Sequence, residues 1–439
     1  MQTASKKVIN GWAMYDWANS AYNLVITSTI FPAYYDAITS TRTPFGVIGH
    51  RVTFLGINIE SASLYNYAIA FAYLVIACLS PVLSSIADYK GNKKAFMQFF
   101  CYLGSIACCL LYFFDKSTLT LGIICAILAA IGYCGSLVFY NSYLPEIAAE
   151  PDQDRISAKG FAYGYVGSVL LQIICFLFVL EPDWFGIKDE TFASRLSFLL
   201  VGIWWVSFAQ ITFLTLPKSR KRESGEKINV FSSGFAELKK VWLQVKALPL
   251  LKNFLLAFFF YSMGVQTVML AATLFGSQVL HLATAKLIAC ILIIQIVAIA
   301  GAYIMAKLSS RFGNFRVLMF VVMIWIAICI IAYFITTEMQ FYFVAVMVGL
   351  VMGGIQSLSR STYAKLMPAT HDTASFFSFY DVTEKVAIVI GMFSFGFVQQ
   401  MTGNMRNSII ALVVFFFIGL IVLYSALQKQ RNLSTALAS

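Results

Sequence analysis

Twelve long runs of apolar residues divide the sequence, with shorter polar segments between them. The runs cover residues 11–36, 63–87, 95–114, 119–143, 158–180, 194–216, 253–276, 283–306, 317–336, 340–363, 376–400 and 407–427. A helix needs about 20 predominantly apolar residues to cross the hydrocarbon core of a bilayer. The runs lack the apolar–polar alternation of barrel strands. The pattern therefore predicts an all-α membrane protein with twelve transmembrane helices.

The composition excludes a soluble protein. Of the 439 residues, 60% are apolar and 12% are charged, whereas roughly a quarter of a soluble domain is charged. Soluble enzymes, disordered chains and fibrous chains are thereby excluded.

The first run carries Asp16, Asn19 and Asn23 and no cleavage site follows it, so it is predicted to be a retained helix rather than a signal peptide. The nine cysteines have neither metal-site nor Cys-x-x-Cys spacing and are interpreted as buried apolar residues.

The distribution of Lys and Arg predicts the orientation. If the amino terminus is inside and the helices alternate, 23 of the 31 basic residues fall inside or at the inner ends of spans, seven fall outside or at the outer ends, and one, Lys385, lies deep within a span. Cytoplasmic loops of membrane proteins are enriched in Lys and Arg. The sequence thus predicts a multi-pass protein of the cytoplasmic (inner) membrane with both termini in the cytoplasm. The net charge of +11 reflects this orientation, and no nucleic-acid partner is expected.

A long polar interruption separates two groups of six runs. The predicted units are an N-terminal bundle (1–216), a cytoplasmic linker (217–252) and a C-terminal bundle (253–439). Apolar residues recur at helical spacing near the end of the linker, with Lys239 and Lys240 on another face, which favours an amphipathic helix on the inner leaflet. A basic, solvated connector is the alternative.

The two halves resemble each other in their tightest loops. Residues 88–94 follow the second run and residues 310–316 follow the eighth, an offset of 222 that superimposes Gly91 on Gly313. Parallel six-helix repeats related by an axis along the membrane normal are the architecture of one large class of transporters. The sequence predicts two such bundles related by a pseudo-two-fold axis.

Residues 84–94 resemble the signature loop of the major facilitator superfamily, Gly-x-Leu-Ala-Asp-Arg-x-Gly-Arg-Lys. Asp88, Gly91 and Lys93 match the signature. The second copy keeps Arg311 and Gly313 but has Ser310 at the aspartate position. The resemblance implies the major facilitator fold, in which the first helix of each half lines a central cavity.

A narrower resemblance extends over most of the chain. Segments 11–22, 140–146 and 353–361 are similar to the vacuole-effluxer-like branch of that superfamily. This branch includes autophagy-related exporters of amino acids from the yeast vacuole. The resemblance implies a secondary transporter and, more weakly, an amino-acid-like solute.

Polar residues inside the first span form a stripe. Asp16, Asn19 and Asn23 lie at i, i+3 and i+7, on one face of a helix. Such residues are costly in lipid and indicate either a solute cavity or polar contacts between helices. The candidate substrate-binding residues are Tyr15, Asp16, Asn19, Tyr22, Asn23, Gln266 and Tyr380.

The eleventh span carries Asp381, Glu384 and Lys385. Counted from Phe376, Lys385 lies ~14 Å into a hydrocarbon core of ~30 Å. Asp381 and Lys385 are four residues apart and can pair along the helix, which leaves Glu384 without a partner on its own helix. These residues are the candidates for proton coupling, and a neutralised structural ion pair is the alternative.

The resemblance also implies a gate. Asp88 is expected to contact the inner end of the eleventh helix and to close the inner side, whereas a simple polar turn is the alternative. The candidate gating residues are Asp88, Gly91, Lys93, Arg311, Gly313 and Arg360. The motifs Gly160-x-x-x-Gly164 and Gly349-x-x-x-Gly353 are interpreted as helix-packing sites.

Secondary transport by alternating access is the function that these patterns favour. The sequence contains no Gly-x-Ser-x-Gly motif, no pair of histidines at metal-site spacing and no Walker-type phosphate loop. We therefore expect no enzyme activity, no cofactor, no metal and no ATP-driven step. The expected partners are a small solute, the bilayer and, as coupling ion, the proton, with the protein acting as a monomer. A receptor or sensor with a transporter fold is the alternative.

Overall fold

The structure is a computed structural model that describes residues 2–42, 48–187, 189–217 and 230–438. The basic run 218–223, predicted as the start of the linker, lies outside the described residues. The described chain is mostly helical, as the sequence predicts. Long helices succeed one another along the chain, and short connections join them.

The first half contains six long helices. Helix α1 consists of Lys6–Ala21, a π-helical segment Tyr22–Thr29 and Ile30–Thr39. The others are α2 (Ser61–Lys90), α3 (Lys93–Leu110), α4 (Leu119–Ser142), α5 (Gln153–Leu180) and α6 (Glu190–Thr215). Two short antiparallel hairpins join α1 to α2, and the sequence did not predict them. Their strands are β1 (Thr41–Arg42), β2 (Ile48–Gly49), β3 (Arg51–Phe54) and β4 (Ile57–Glu60).

Helix α7 (Val230–Ala247) follows within the linker region. The second half then contains six more long helices. These are α8 (Pro249–Gln278), α9 (Thr284–Phe312), α10 (Asn314–Phe334), α11 (Glu338–Leu366), α12 (Thr373–Thr402) and α13 (Met405–Ala438). By length and composition alone, ten helices of the described chain can cross a membrane. Helix α1, divided by its π segment, and α12, with three ionisable residues, complete the twelve predicted from the sequence.

Small residues let helices within a half approach closely. An added Cβ on Gly353 of α11 would lie 2.2 Å from the Ala298 carbonyl oxygen of α9, and one on Gly349 would lie 2.6 Å from that of Ile294. Glycine at both positions therefore allows the two backbones to touch, in agreement with the packing interpretation. These contacts hold α9 and α11 together within the second half.

The two halves meet mainly through four pairs of long helices. Helix α5 packs against α9 and α11, and α12 packs against α2 and α4. We call the end of the bundle that carries Ser5, the α2–α3 turn at Gly91 and the α11–α12 connection at Met367–Asp372 the terminal face. Gly91 ends α2 in the left-handed region, with φ +65°, which only glycine adopts without strain. Gly313 likewise has φ +86° between α9 and α10.

Candidate functional site

A buried ion pair joins the first helix to the second half. Arg360 of α11 donates a hydrogen bond through Nη1 to Asp16 Oδ2 at 3.2 Å, and the Tyr140 hydroxyl donates to the same oxygen at 2.7 Å. The side chains of Asp16 and Arg360 are 7% and 3% exposed. Burial of two charges is costly unless they are paired and hydrogen-bonded, so loss of either member would leave an uncompensated buried charge between the halves.

The guanidinium of Arg360 is held by several more groups. Its Nε donates to Ser157 Oγ at 3.0 Å, and its Nη2 donates to the Ser157 carbonyl oxygen at 2.8 Å. Nη1 also reaches Asn141 Oδ1 at 3.1 Å. The guanidinium carbon lies 4.2 Å from the ring centroid of Phe161, and 4.8 Å from that of Trp12, within the range of cation–π attraction. Arg360 is thus fixed by helices α1, α4 and α5 of the opposite half.

Gly160 makes room for this contact. An added Cβ would lie 2.6 Å from Asp16 Oδ2 and 2.8 Å from Arg360 Nη2. The sequence analysis interpreted Gly160 as a packing residue. In the structure it packs against the ion pair itself.

Asp88 caps the start of α12 from the other half. Its carboxylate accepts hydrogen bonds from the backbone N–H of Ala374 at 3.2 Å, and from the N–H and hydroxyl of Ser375, both at 2.8 Å. The N-terminus of a helix has free N–H groups and a positive end of its dipole, and both favour a carboxylate. This is the contact that the resemblance implies for the signature loop.

Lys93 extends the same contact. Its ammonium lies 3.0 Å from Asp88 Oδ1 and also binds Glu146 and the Thr373 hydroxyl. Thr373 in turn donates to Glu146 Oε1 at 2.8 Å. Helices α2 and α3 and the short helix after α4 (Leu144–Ile147) therefore all hold the first turn of α12.

The second half makes a corresponding contact with the roles of the partners exchanged. Asp154 in the first turn of α5 accepts hydrogen bonds from Ser309 Oγ at 2.7 Å, Asn314 Nδ2 at 2.8 Å and Lys365 Nζ at 2.6 Å. Ser310 occupies the aspartate position of the second signature loop, and the acid is supplied from α5 instead. The gating prediction for Arg311 receives no support, because its exposed guanidinium lies over the ring of Phe312, 5.4 Å from the centroid. Lys365 is the cation that pairs.

These contacts close the terminal face. Among the hydrogen bonds and ion pairs whose partners are both described, those between the bundles lie between that face and the level of Tyr165 and Gln356, where the tyrosine donates to the amide oxygen at 2.8 Å. Tyr165 is roughly 18 Å along α5 from Gln153. The structure therefore presents a conformation in which the terminal half of the interface is sealed by paired charges.

The predicted coupling residues form one cluster midway along α12. Lys385 Nζ lies 3.3 Å from Asp381 Oδ1 and 3.5 Å from Glu384 Oε2. The prediction that Glu384 has no partner on its own helix is wrong, because the long lysine side chain reaches both carboxylates. Gln266 of α8 also donates to Glu384 Oε1 at 3.0 Å. The cluster faces the first half, since Lys385 lies 5.6 Å from the ring centroid of Tyr73 on α2.

The polar stripe predicted on α1 is divided in the structure. Asp16 and Asn19 are buried, whereas Asn23 is exposed. The π-helical segment begins at Tyr22 and has i→i+5 hydrogen bonding, so each turn contains more residues and the following side chains rotate out of line. Within this segment the Ser28 hydroxyl donates to the Asn23 carbonyl oxygen at 2.9 Å.

Three predicted substrate-binding tyrosines pack inside their own halves. Tyr15 lies 5.2 Å from Tyr140 between ring centroids, and Tyr22 lies 5.0 Å from Tyr133. Tyr380 stacks on Phe258 at 4.2 Å. The ring partners of all three belong to the same half as the tyrosine itself.

Several residues that form contacts at the closed face were not among the candidate site residues predicted from the sequence. They are Asn141, Glu146, Asp154, Ser157, Asn314 and Lys365. Asp154 carried a usable signal, because an acidic residue in the first turn of a helix commonly stabilises that end. Its partners come from three other elements, and no local pattern connects them.

Two six-helix halves that are joined by paired charges at one face, with ionisable residues midway along α12, are the architecture of a transporter of the major facilitator fold. The E. coli fucose:proton symporter FucP has the same fold, with a TM-score of 0.68 and 16% identity over 96% of this chain and 97% of that chain. The proton:xylose symporter XylE is similar, with a TM-score of 0.71 and 11% identity over 95% of both chains.

The family described as "Vacuole effluxer Atg22 like" matches residues 4–436, and the chain belongs to this family. An uncharacterized MFS-type transporter of Bacillus subtilis, YxiO, is 33% identical over 419 residues, which cover 94% of this chain and 93% of the relative. Autophagy-related protein 22-2 of Aspergillus oryzae is 26% identical over 460 residues, or 85% of this chain and 74% of the relative. The protein is thus a multi-pass membrane transporter and not an enzyme.

Proposed function

We propose that the protein carries a small, polar, amino-acid-like solute across the membrane by alternating access, with proton coupling through the α12 cluster. The observation that carries the proposal is the shared lysine. Lys385 contacts both Asp381 and Glu384, so two carboxylates meet one ammonium group. The cluster therefore retains one excess negative charge when both acids are ionised, and a proton or a cationic group of a solute would neutralise it.

The surroundings of the cluster support this role. Asp381 Oδ2 is buried and finds no hydrogen-bond donor among the described residues. Glu384 is 24% exposed, and Gln266 offers an amide beside it. A buried polar atom without a partner is costly and is a natural position for a bound proton, water or ligand group. Asn23 is a further candidate for solute contact from the first half.

The closed face supports alternating access. Three contacts hold the halves together there, centred on Asp16, Asp88 and Asp154. Solute release at this face requires all three to break, so that one bundle rocks against the other about the central site. The excess of Lys and Arg in the connecting segments of the terminal face supports its assignment to the cytoplasm.

The solute class rests on the relatives. The family is named for vacuole effluxers, and the fungal relatives are autophagy-related proteins. A site with carboxylates, an amide and a lysine suits a zwitterion better than an apolar molecule, because each charged end then has a partner of opposite sign.

Purified protein in liposomes tests the proposal. Labelled amino acids are screened with and without an imposed pH gradient, in the wild type, E384Q and E338Q. We expect E384Q to retain exchange of internal for external solute but to lose accumulation driven by the gradient. Glu338 is a matched control, because it pairs with Lys286 at the first turn of α11, opposite the terminal face.

Undiminished gradient-driven accumulation by E384Q would show that the coupling assignment is wrong. If the wild type binds an amino acid but neither accumulates nor exchanges it, the receptor alternative is favoured instead.

A further inference from the structure

Helix α7 connects the linker region to the start of α12, which Asp88 binds. Val241 and Val245 are one turn apart, both 1% exposed, and α7 packs against α2, α8 and α12. Lys240 Nζ lies 3.2 Å from Asp372 Oδ2, and Asp372 immediately precedes the first turn of α12 that Asp88 binds. The helix is therefore held against the bundle by its apolar face and by the contact of Lys240 with Asp372.

The outer side of α7 has a different chemistry. Trp242 and Leu243 are exposed, at 41% and 56%, and the ring of Trp242 lies 5.8 Å from that of Phe379. A shallow groove of about 430 Å³ runs along the side of Leu243 and is lined by Lys239, Lys240, Leu243, Gln244 and Ala247. One end of the groove thus has two ammonium groups, and the rest is largely apolar.

We propose that this groove binds an anionic phospholipid of the adjoining leaflet. The headgroup phosphate lies at Lys239 and Lys240, and the upper part of an acyl chain follows Leu243 and Ala247. Amphipathic helices with lysines beside exposed tryptophan and leucine bind the interface of anionic membranes. The charge of the whole segment 217–252 agrees with this partner, because it contains nine basic and three acidic residues.

Lys240 connects the proposed lipid site to the start of α12. Lys240 contacts Asp372 at the start of α12, so the Asp372 carboxylate and a lipid phosphate compete for one ammonium group. Binding of the lipid therefore weakens the hold of α7 on α12, and by reciprocity opening of the terminal face strengthens binding of the lipid. This relation concerns lipid binding and does not depend on the identity of the solute.

Quenching of Trp242 fluorescence by brominated lipids tests the site. Detergent-purified full-length protein is titrated with brominated phosphatidylglycerol or brominated phosphatidylcholine, and the signal missing in W242F is assigned to Trp242. We expect phosphatidylglycerol to quench this signal at least five-fold more effectively. K239Q should weaken the binding of phosphatidylglycerol about five-fold, which corresponds to roughly 1 kcal/mol for one lysine near an anionic headgroup.

Two further variants separate this site from general charge attraction. D372N should strengthen binding, because it removes the competing carboxylate. K252Q should bind as the wild type does, because Lys252 is an exposed lysine of α8 outside the groove. Lys246 is avoided as a control because it lies 5.2 Å from the ring of Trp242.

Equal quenching by the two lipids would overturn the proposal, as would equal losses of binding in K239Q and K252Q. Displacement of the lipid by soluble glycerol phosphate at the same concentration would also overturn it, since a phosphate alone would then be the ligand. A decrease of binding in D372N would contradict the competition for Lys240.

Discussion

Asp16 and Arg360 are 344 residues apart in the chain, yet the arginine donates a hydrogen bond to the aspartate at 3.2 Å inside the closed interface. Asp16 belongs to the first helix of the first half, and Arg360 to α11 of the second half. The sequence analysis assigned Asp16 to the solute and Arg360 to the gate. In the structure the two residues contact each other, and we propose that this ion pair breaks when the terminal face opens.

Removal of one partner should destabilise the protein more than removal of both. R360Q leaves the buried Asp16 carboxylate without its cation, and such losses typically cost about 3–5 kcal/mol. In D16N/R360Q no uncompensated charge remains, so we expect a higher Tm than in R360Q. Thermal unfolding of the detergent-purified variants measures the difference. A double variant less stable than R360Q would contradict the ion pair as the main contact.

Gly160 should tolerate no side chain. In G160A the new methyl group would meet Asp16 Oδ2 and Arg360 Nη2, so we expect a weaker closed state and a lower Tm. G396A is the matched control, because an added Cβ there finds no atom within 4 Å and alanine favours a helix by up to ~1 kcal/mol. The two substitutions are chemically identical, and the prediction fails if both change the Tm in the same direction.

The Asp88 contact should control access to the terminal face. D88N loses the charge that binds the start of α12 and Lys93, so the open state should become more populated. A cysteine introduced at Ser157, which is buried in the closed interface, reports opening through labelling by a membrane-impermeant maleimide above the background of the parent protein.

The labelling rate should rise several-fold in D88N and much less in S375A. The latter removes one hydroxyl donor and retains the backbone donors to Asp88. Equal rates in D88N and the parent would show that Asp88 does not hold the face closed.

Lys385 should be essential for stability as well as for transport. K385Q leaves Asp381 and Glu384 together inside the membrane without a cation, so we expect a large fall in Tm, equivalent to about 3 kcal/mol or more. The double variant K385Q/D381N keeps Glu384, beside Gln266, as the single carboxylate of the cluster. Its Tm should therefore recover part of this loss. If the Tm of the double variant does not recover, the loss of stability in K385Q does not come from the unpaired carboxylates.

The sequence predicted the architecture because the bilayer permits few solutions. Without water, every backbone group of a span must bond within its own helix, so a run of about 20 apolar residues has one stable conformation. The twelve runs, the half-length repeat and the amphipathic stretch that became α7 could therefore be found by counting. The signature loop around Asp88 also indicated the fold family, because its pattern lies within a few consecutive residues.

The partners of the charged residues were decided by the tertiary structure. Arg360 finds Asp16, and Lys365 finds Asp154, across an interface between helices that are distant in sequence. The π-helical segment at Tyr22 also changed the outcome, because the stripe on α1 was drawn with 3.6 residues per turn. Periodicity along one chain determines which residues are costly in lipid, whereas only the packing of the two halves determines which opposite charge offsets that cost.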